Sequence, residues 1–273
     1  MSKQLVDGLN DCSNADYHKD RKYLSSSVLK VIYKDLAEYK SQYIDGNKKE
    51  MSNQGALDEG SLTHAYLLDP ATIKTEYAFY PGLRKAGADW EAFKASLDPD
   101  SGHKIIISKP QKLKVESYVK AFKARPEAVE MLKDGAAEQT ICGTLNGVPI
   151  KVRFDYINVD KGAIYDVKTT GYPADVDSFK QTLNGLSYQL SAALYCALAE
   201  QYYNRKFDFY FIVISKSELE CHVYKTSDKT MSEGRRMVDV ACAKYLKAKE
   251  TNVWIEPEVE VENEISNYEI LEV

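Results

Sequence analysis

The chain has 273 residues, with 36 Lys plus Arg against 41 Asp plus Glu and a net charge of −5. A hydrophobic share of 44% and a charged share of 28% are those of an ordinary globular protein, long enough to build a core without covalent staples. The longest apolar runs, Ile105 to Ile107 and Phe209 to Ile214, fall far short of the ~20 residues a membrane span needs, and the first 20 residues hold no apolar leader segment. The expected setting is therefore cytoplasmic, with no membrane partner. Net acidity argues against a nucleic-acid binder working through bulk charge alone. It leaves room for a local basic channel, because carboxylates gathered at a metal site add negative charge that the ions cancel. The five cysteines, Cys12, Cys142, Cys196, Cys221 and Cys242, include no CxxC pair, so a zinc or iron–sulfur site is not expected and reduced buried thiols are.

Ser25, Ser26 and Ser27 read as a helix start, because a serine hydroxyl can accept an orphan backbone N–H. Val28, Ile32, Leu36 and Tyr39 then repeat at helical spacing to about residue 43. A second helix is expected over 54–68, stopped at Asp69-Pro70 because proline cannot continue it. Residues 81–104 read as a loop with a short helix near Trp90, followed by a strand at 105–108. Helices are expected over 110–122 and 126–133, the latter ended by Gly135. The pattern then turns to strands over 138–145, 148–159 and 163–169. Asn146-Gly147 is a strong hairpin signal, since both residues tolerate positive φ, and Asp160-Lys161-Gly162 supplies the next turn. Residues 177–203 read as mainly helical, with Leu190, Ala193, Leu194, Ala197 and Leu198 forming one apolar stripe. A strand pair at 207–214 and 219–226 and a long helix to about residue 249 follow. The tail after Trp254 alternates Glu with Val and Ile, which suits an edge strand or a loosely held acidic terminus.

The chemistry concentrates in residues 153–170. Side chains alternate faces along a strand, so Arg153 shares a face with Asp155, and Asp166 shares one with Lys168 while Val167 points into the core. One turn separates the two strands, so Asp155 and Asp166 are expected to approach each other. Two facing carboxylates repel unless a cation lies between them or one is protonated. Oxygen ligands favour Mg²⁺ or Mn²⁺, and such a site meeting a phosphate points to phosphodiester hydrolysis. Lys168 is placed to hold the attacking water, stabilise the charge growing on phosphorus, or take a proton. An isolated Asp-x-Lys is otherwise a surface ion pair of little energetic weight.

Four local motifs together resemble the PD-(D/E)xK nuclease superfamily, and more closely its RecE-type exonucleases (exodeoxyribonuclease VIII and relatives). They are Tyr17-His18 with the serine run 25–27, Gly60-x-x-x-His64 within 60–68, residues 147–155 ending in Asp155, and Tyr165-Asp166-Val167-Lys168-Thr169-Thr170. The resemblance spans about 17–215; residues 216–273 carry no diagnostic motif and read as an extension of one domain covering 1–273. It implies a restriction-endonuclease-like α/β core, a central mixed β-sheet flanked by α-helices. It implies metal binding by Asp155, Asp166, the Val167 carbonyl and His64, with Lys168 catalytic. Glu138 stands where lambda-type exonucleases carry a further acid, and equally suits a solvated strand end. Substrate contacts are expected from Arg153, Ser25, Ser26, Thr169 and the helix after the strands. There the family's Gln-x-x-x-Tyr matches at Tyr195 but meets Ser191 in place of Gln, with Gln189 two residues early and on another helix face.

The resemblance implies a Mg²⁺-dependent (or Mn²⁺-dependent) exonuclease that degrades one strand of linear double-stranded DNA from its 5′ end. The 3′ tail left behind would serve a single-strand annealing recombinase. A ring-shaped homo-oligomer, trimer or tetramer, is implied with it. Another nuclease of the superfamily, an endonuclease or a helicase-associated enzyme, and a catalytically silent DNA-binding or partner-binding module are the alternatives.

Overall fold

The computed structural model describes residues 4–47, 54–98 and 105–255. Its centre is a six-stranded sheet in the order β1-β4-β5-β6-β7-β8. The members are β1 (Gly8–Asn10), β4 (Ala136–Leu145), β5 (Val148–Asn158), β6 (Ala163–Thr170), β7 (Asp208–Ser215) and β8 (Cys221–Lys225). All neighbours are antiparallel except β6 and β7, which run parallel. The β4–β5 hairpin turns on Asn146 (φ 50°) and Gly147 (φ 76°), the left-handed pair that matches the twist of the flanking strands.

Helices cover both faces. One face packs on α2 (Ser26–Lys34), α3 (Leu36–Tyr39), α9 (Val176–Gly185), α10 (Tyr188–Tyr203) and α11 (Asp228–Thr251), burying Phe154, Ile164, Phe209, Phe211 and Val213 with Leu29, Ile32 and Leu194. The other packs on α4 (Gln54–Leu68), α7 (Lys109–Lys123) and α8 (Pro126–Met131), burying Tyr156, Tyr165, Val167 and Ile212 with Leu62, Tyr118 and Phe122. Around these lie α1 (Asn14–Lys19), α5 (Ile73–Glu76), α6 (Ala88–Ser96) and a small parallel pair, β2 (Tyr77–Tyr80) with β3 (Ile105–Ser108). The α/β sheet flanked by helices is the architecture expected from sequence.

Two expected helices are subdivided. The helix over 28–43 breaks at Asp35, whose extended backbone (φ −157°) lets its carboxylate cap the Glu38 N–H at 3.0 Å; the chain then widens into a π-turn at Lys40–Ile44. Ser25 is the N-cap of α2, but its hydroxyl bonds the Ser27 hydroxyl at 2.8 Å and not the backbone. The segment 177–203 divides at Ser187, which takes a left-handed backbone (φ 52°). The start of α10 is pinned by Gly234 of α11: a Cβ there would lie 2.1 Å from the Gln189 carbonyl oxygen. β1, α1 and β2 were not anticipated, being too short to show a period. The alternating Glu/Val segment lies mostly outside the described residues. No helix among the described residues is long and apolar enough to cross a membrane.

Candidate active site

The alternation of apolar side chains changes phase where the carboxylates sit. Val148, Ile150, Val152 and Phe154 face α2 and α10, yet Tyr156 faces α4 and α7 and Ile157 returns to the first side. On β4 the pairings Ala137↔Tyr156 and Gln139↔Phe154 bracket Glu138, which stands opposite Asp155 with φ 51°. A left-handed glutamate inside a strand is a local strain, a kind found most often at functional sites. Beyond Tyr156↔Tyr165 the β5–β6 ladder stops. There the Asp155 carboxylate takes the place of a backbone partner, accepting the Val167 N–H at 2.8 Å.

His64 arrives on α4, its Nδ1 3.6 Å from Asp155 Oδ2. One ligand atom each from His64, Glu138 and Asp155 lies within 4.8 Å of the others. Burial and the neighbouring Asp155 push the Glu138 carboxyl up to about 7. Asp166, on the next strand, is 4% exposed; its Oδ2 pairs with the Lys168 ammonium. Burial raises the Asp166 carboxyl, with the Lys168 charge opposing. For Lys168 burial pulls downward, but Asp166 and Asp155 outweigh it and the ammonium is held above its ordinary range. Lys168 Nζ also reaches the Val167 carbonyl at 3.4 Å. The converging Glu138 and Asp155 carboxylates, the His64 imidazole beside them and the Asp166 carboxylate on the next strand form a donor set that fits a divalent cation.

His64, Glu138, Asp155 and Lys168 open into a cleft of about 930 Å³, while the expected ligand Asp166 is buried, lies outside the three-residue cluster and is not on the cleft wall. The wall includes the expected Ser25, Ser26, His64, Glu138, Arg153, Asp155, Val167, Lys168, Thr169 and Tyr195. Gln189 and Ser191 do not line it; both are buried on α10, and Gln189 Oε1 has no hydrogen-bond partner. The helical turn carries Gln189 to another face, whereas Ser191 shares the face of Tyr195 one turn earlier and is buried there. Arg153 is already engaged. Its guanidinium bonds Thr140 Oγ1 at 2.9 Å, the Cys12 carbonyl at 3.0 Å and Cys12 Sγ at 3.1 Å, and lies over the Tyr17 ring. It therefore ties the N-terminal segment to β5 and offers the cleft its charge more than its free donors.

Lys30 Nζ and Lys168 Nζ both stand over the Tyr188 ring, 4.8 and 5.4 Å from its centre. Burial and the like charge of Lys168 push Lys30 down to about 8. Lys216 and the half-exposed Cys12 also line the cleft. Lys30 is one of the lysines of the 28–43 helix that the sequence offers for phosphate contact, whereas nothing local marks Tyr188 or Lys216.

A family profile described as a PDDEXK-like domain of unknown function (DUF3799) matches residues 25–262. Among solved structures, a protein of Eubacterium rectale with a provisional exonuclease name superposes at a TM-score of 0.66 and 16% identity, over 89% of this chain and 88% of that one, and so shares the fold. A phage-related exonuclease of Haemophilus somnus 129PT covers 70% of this chain and 100% of its own at 10% identity, but its TM-score of 0.32 carries no argument. No curated protein matches the sequence.

Proposed function

The chain belongs to the PDDEXK-like domain family DUF3799, and on that basis we propose that it is a divalent-metal-dependent exonuclease of linear duplex DNA. The reading extends to RecE-type action, 5′ to 3′, leaving 3′ single-stranded tails for a strand-annealing recombinase, by one domain that assembles into a homo-oligomeric ring. One observation carries it: His64, Glu138 and Asp155 converge within 4.8 Å beside the buried Asp166–Lys168 pair on the adjoining strand.

Asp155, Asp166, the Val167 carbonyl, Glu138 and His64 are the groups that would hold Mg²⁺ or Mn²⁺, which when bound polarises phosphate oxygens and acidifies water. Lys168 keeps its proton at neutral pH, because two carboxylates surround it. Its part is thus to neutralise the charge that grows on the phosphoryl oxygens. Lys30, beside the same Tyr188 ring, adds a second positive charge. Ser25 and Ser26, at the start of α2 on the cleft wall, offer hydroxyls and helix N–H groups to a phosphate. The Val167 N–H, bonded to Asp155, holds that carboxylate in place.

The test is end-labelled linear duplex incubated with Mg²⁺ and resolved strand by strand. Release of nucleotides from 5′ ends is expected, with closed circular DNA left intact. Asp166→Ala and Lys168→Ala are each expected to lower release by about 10³-fold or more while circular dichroism shows a folded chain. Wild-type release by either variant removes the assignment.

A further inference from the structure

The densest like charge among the described residues lies outside the cleft. Residues 109–125 hold five lysines and one arginine against the single Glu116, a net of +5 in a chain whose total is −5. The apolar face of α7, Val115, Tyr118, Ala121 and Phe122, is buried. Lys109, Lys120 and Lys123 are exposed. At ~100° per residue they fall within about 60° of one another on the helix. Among the described residues none of the three makes an ion pair. Like charges sharing a helix face repel, so folding alone does not account for this row.

Its position is informative. α7 lies along α4: Lys114 Nζ is 3.3 Å and the Tyr118 hydroxyl 3.4 Å from the Glu59 carboxylate. The other side of α4, with Gly60, Ser61 and His64, lines the cleft. Lys216 links the two, standing on the cleft wall with Nζ 6.0 Å from the centre of the Tyr118 ring. Lys114 is paired with Glu59 on the side of α7 that meets α4, whereas Lys109, Lys120 and Lys123 stand on the solvent side of α7, opposite its buried face. Packed helix axes lie ~8–10 Å apart, a separation smaller than the width of a duplex. A 15-residue helix is about 22 Å long, and duplex DNA presents roughly 13 phosphates over that length.

We propose that α7 is a rail for the DNA phosphate backbone, holding the duplex that extends beyond the hydrolytic cleft. This rests on the nuclease reading above and adds to it a binding surface separate from the chemistry. The contacts are to phosphate, so they serve every sequence alike.

The experiment is fluorescence anisotropy of a labelled 30-base-pair duplex with the full chain in EDTA, over a series of salt concentrations. The triple variant K109Q/K120Q/K123Q is compared with wild type and with Lys120→Gln alone. Each lost phosphate contact is expected to reduce the slope of log K against log salt by about 0.9. The triple variant should then fall by about 2–3 in slope and about ten-fold or more in affinity at 0.1 M salt, with the single variant between. A wild-type slope in the triple variant overturns the rail and leaves the nuclease reading standing if wild type still degrades DNA. A wild-type chain that neither binds nor degrades duplex overturns both. Lysine-dependent binding to phosphatidylserine vesicles with an unchanged DNA slope also overturns the rail, in favour of a lipid surface.

Discussion

A left-handed backbone costs an L-residue such as glutamate about 1–2 kcal/mol, and at Glu138 (φ 51°) it is found opposite Asp155, inside a strand. A glycine at that position would adopt the same backbone cheaply but would bring no ligand to the cluster. Burial and Asp155 push the Glu138 carboxyl up to about 7, so it sheds its proton only as pH rises through neutrality. Without metal, the folded state then binds more protons than the unfolded chain between about pH 4.5 and 7, and stability is expected to fall as pH rises through that window. Glu138→Gln should flatten this slope in urea titrations. For the same reason Mn²⁺ affinity measured by calorimetry should rise from pH 6 to pH 8 in wild type, and rise less in the variant. At this scale Asp155, Asp166, Lys168 and His64 were legible because their spacing in short motifs encodes the geometry. The meeting of Tyr188 with Lys30 was not, because it forms only when α2 and α10, far apart in sequence, pack together.

Between β5 and β6, a side chain does the work of a ladder bond. The Asp155 carboxylate accepts the Val167 N–H at 2.8 Å where strand pairing ends. Asp155→Asn retains an acceptor oxygen for that donor, whereas Asp155→Ala leaves it without a partner in the interior. The alanine variant is expected to be less stable than the asparagine variant by about 1–3 kcal/mol, read from urea midpoints, although both should lose metal binding. An equal loss of stability in the two would show that the bond holds nothing together. The three-strand meander was legible because Asn146-Gly147 and Gly162 punctuate it. The breaks at Asp35 and Ser187 were not, since side-chain capping and packing override a continuous helical period there. Gly234 lets α11 close on the Gln189 carbonyl in the first turn of α10, a contact no local pattern announces.

Across the whole molecule, charge is unevenly distributed. Residues 256–273 hold seven glutamates and no lysine or arginine, so residues 1–255 carry a net +2 against the total of −5. The acidity that weighed against nucleic acid thus belongs to one segment, and the remainder agrees in sign with a DNA-binding body. Replacing the seven glutamates with glutamine is expected to speed association with duplex DNA several-fold at about 20–50 mM salt. The gain should vanish near ~1 M, where the Debye length shrinks to ~3 Å; stopped-flow anisotropy would follow both limits. The meander and the flanking helices followed from strand and helix periods, whereas the full strand order, the parallel β6–β7 pair and the placement of the basic α7 against α4 emerged only from packing.

The distribution of thiols has a practical consequence. Cys142, Cys196, Cys221 and Cys242 are buried, and burial pushes them up to about 11 or 12. Cys12 is half exposed on the cleft wall, 3.1 Å from the Arg153 guanidinium. The native chain therefore carries its own attachment point for a maleimide dye, selective without any engineered cysteine. Such a reporter would sit on the cleft wall, so its emission would follow occupancy of the cleft in real time.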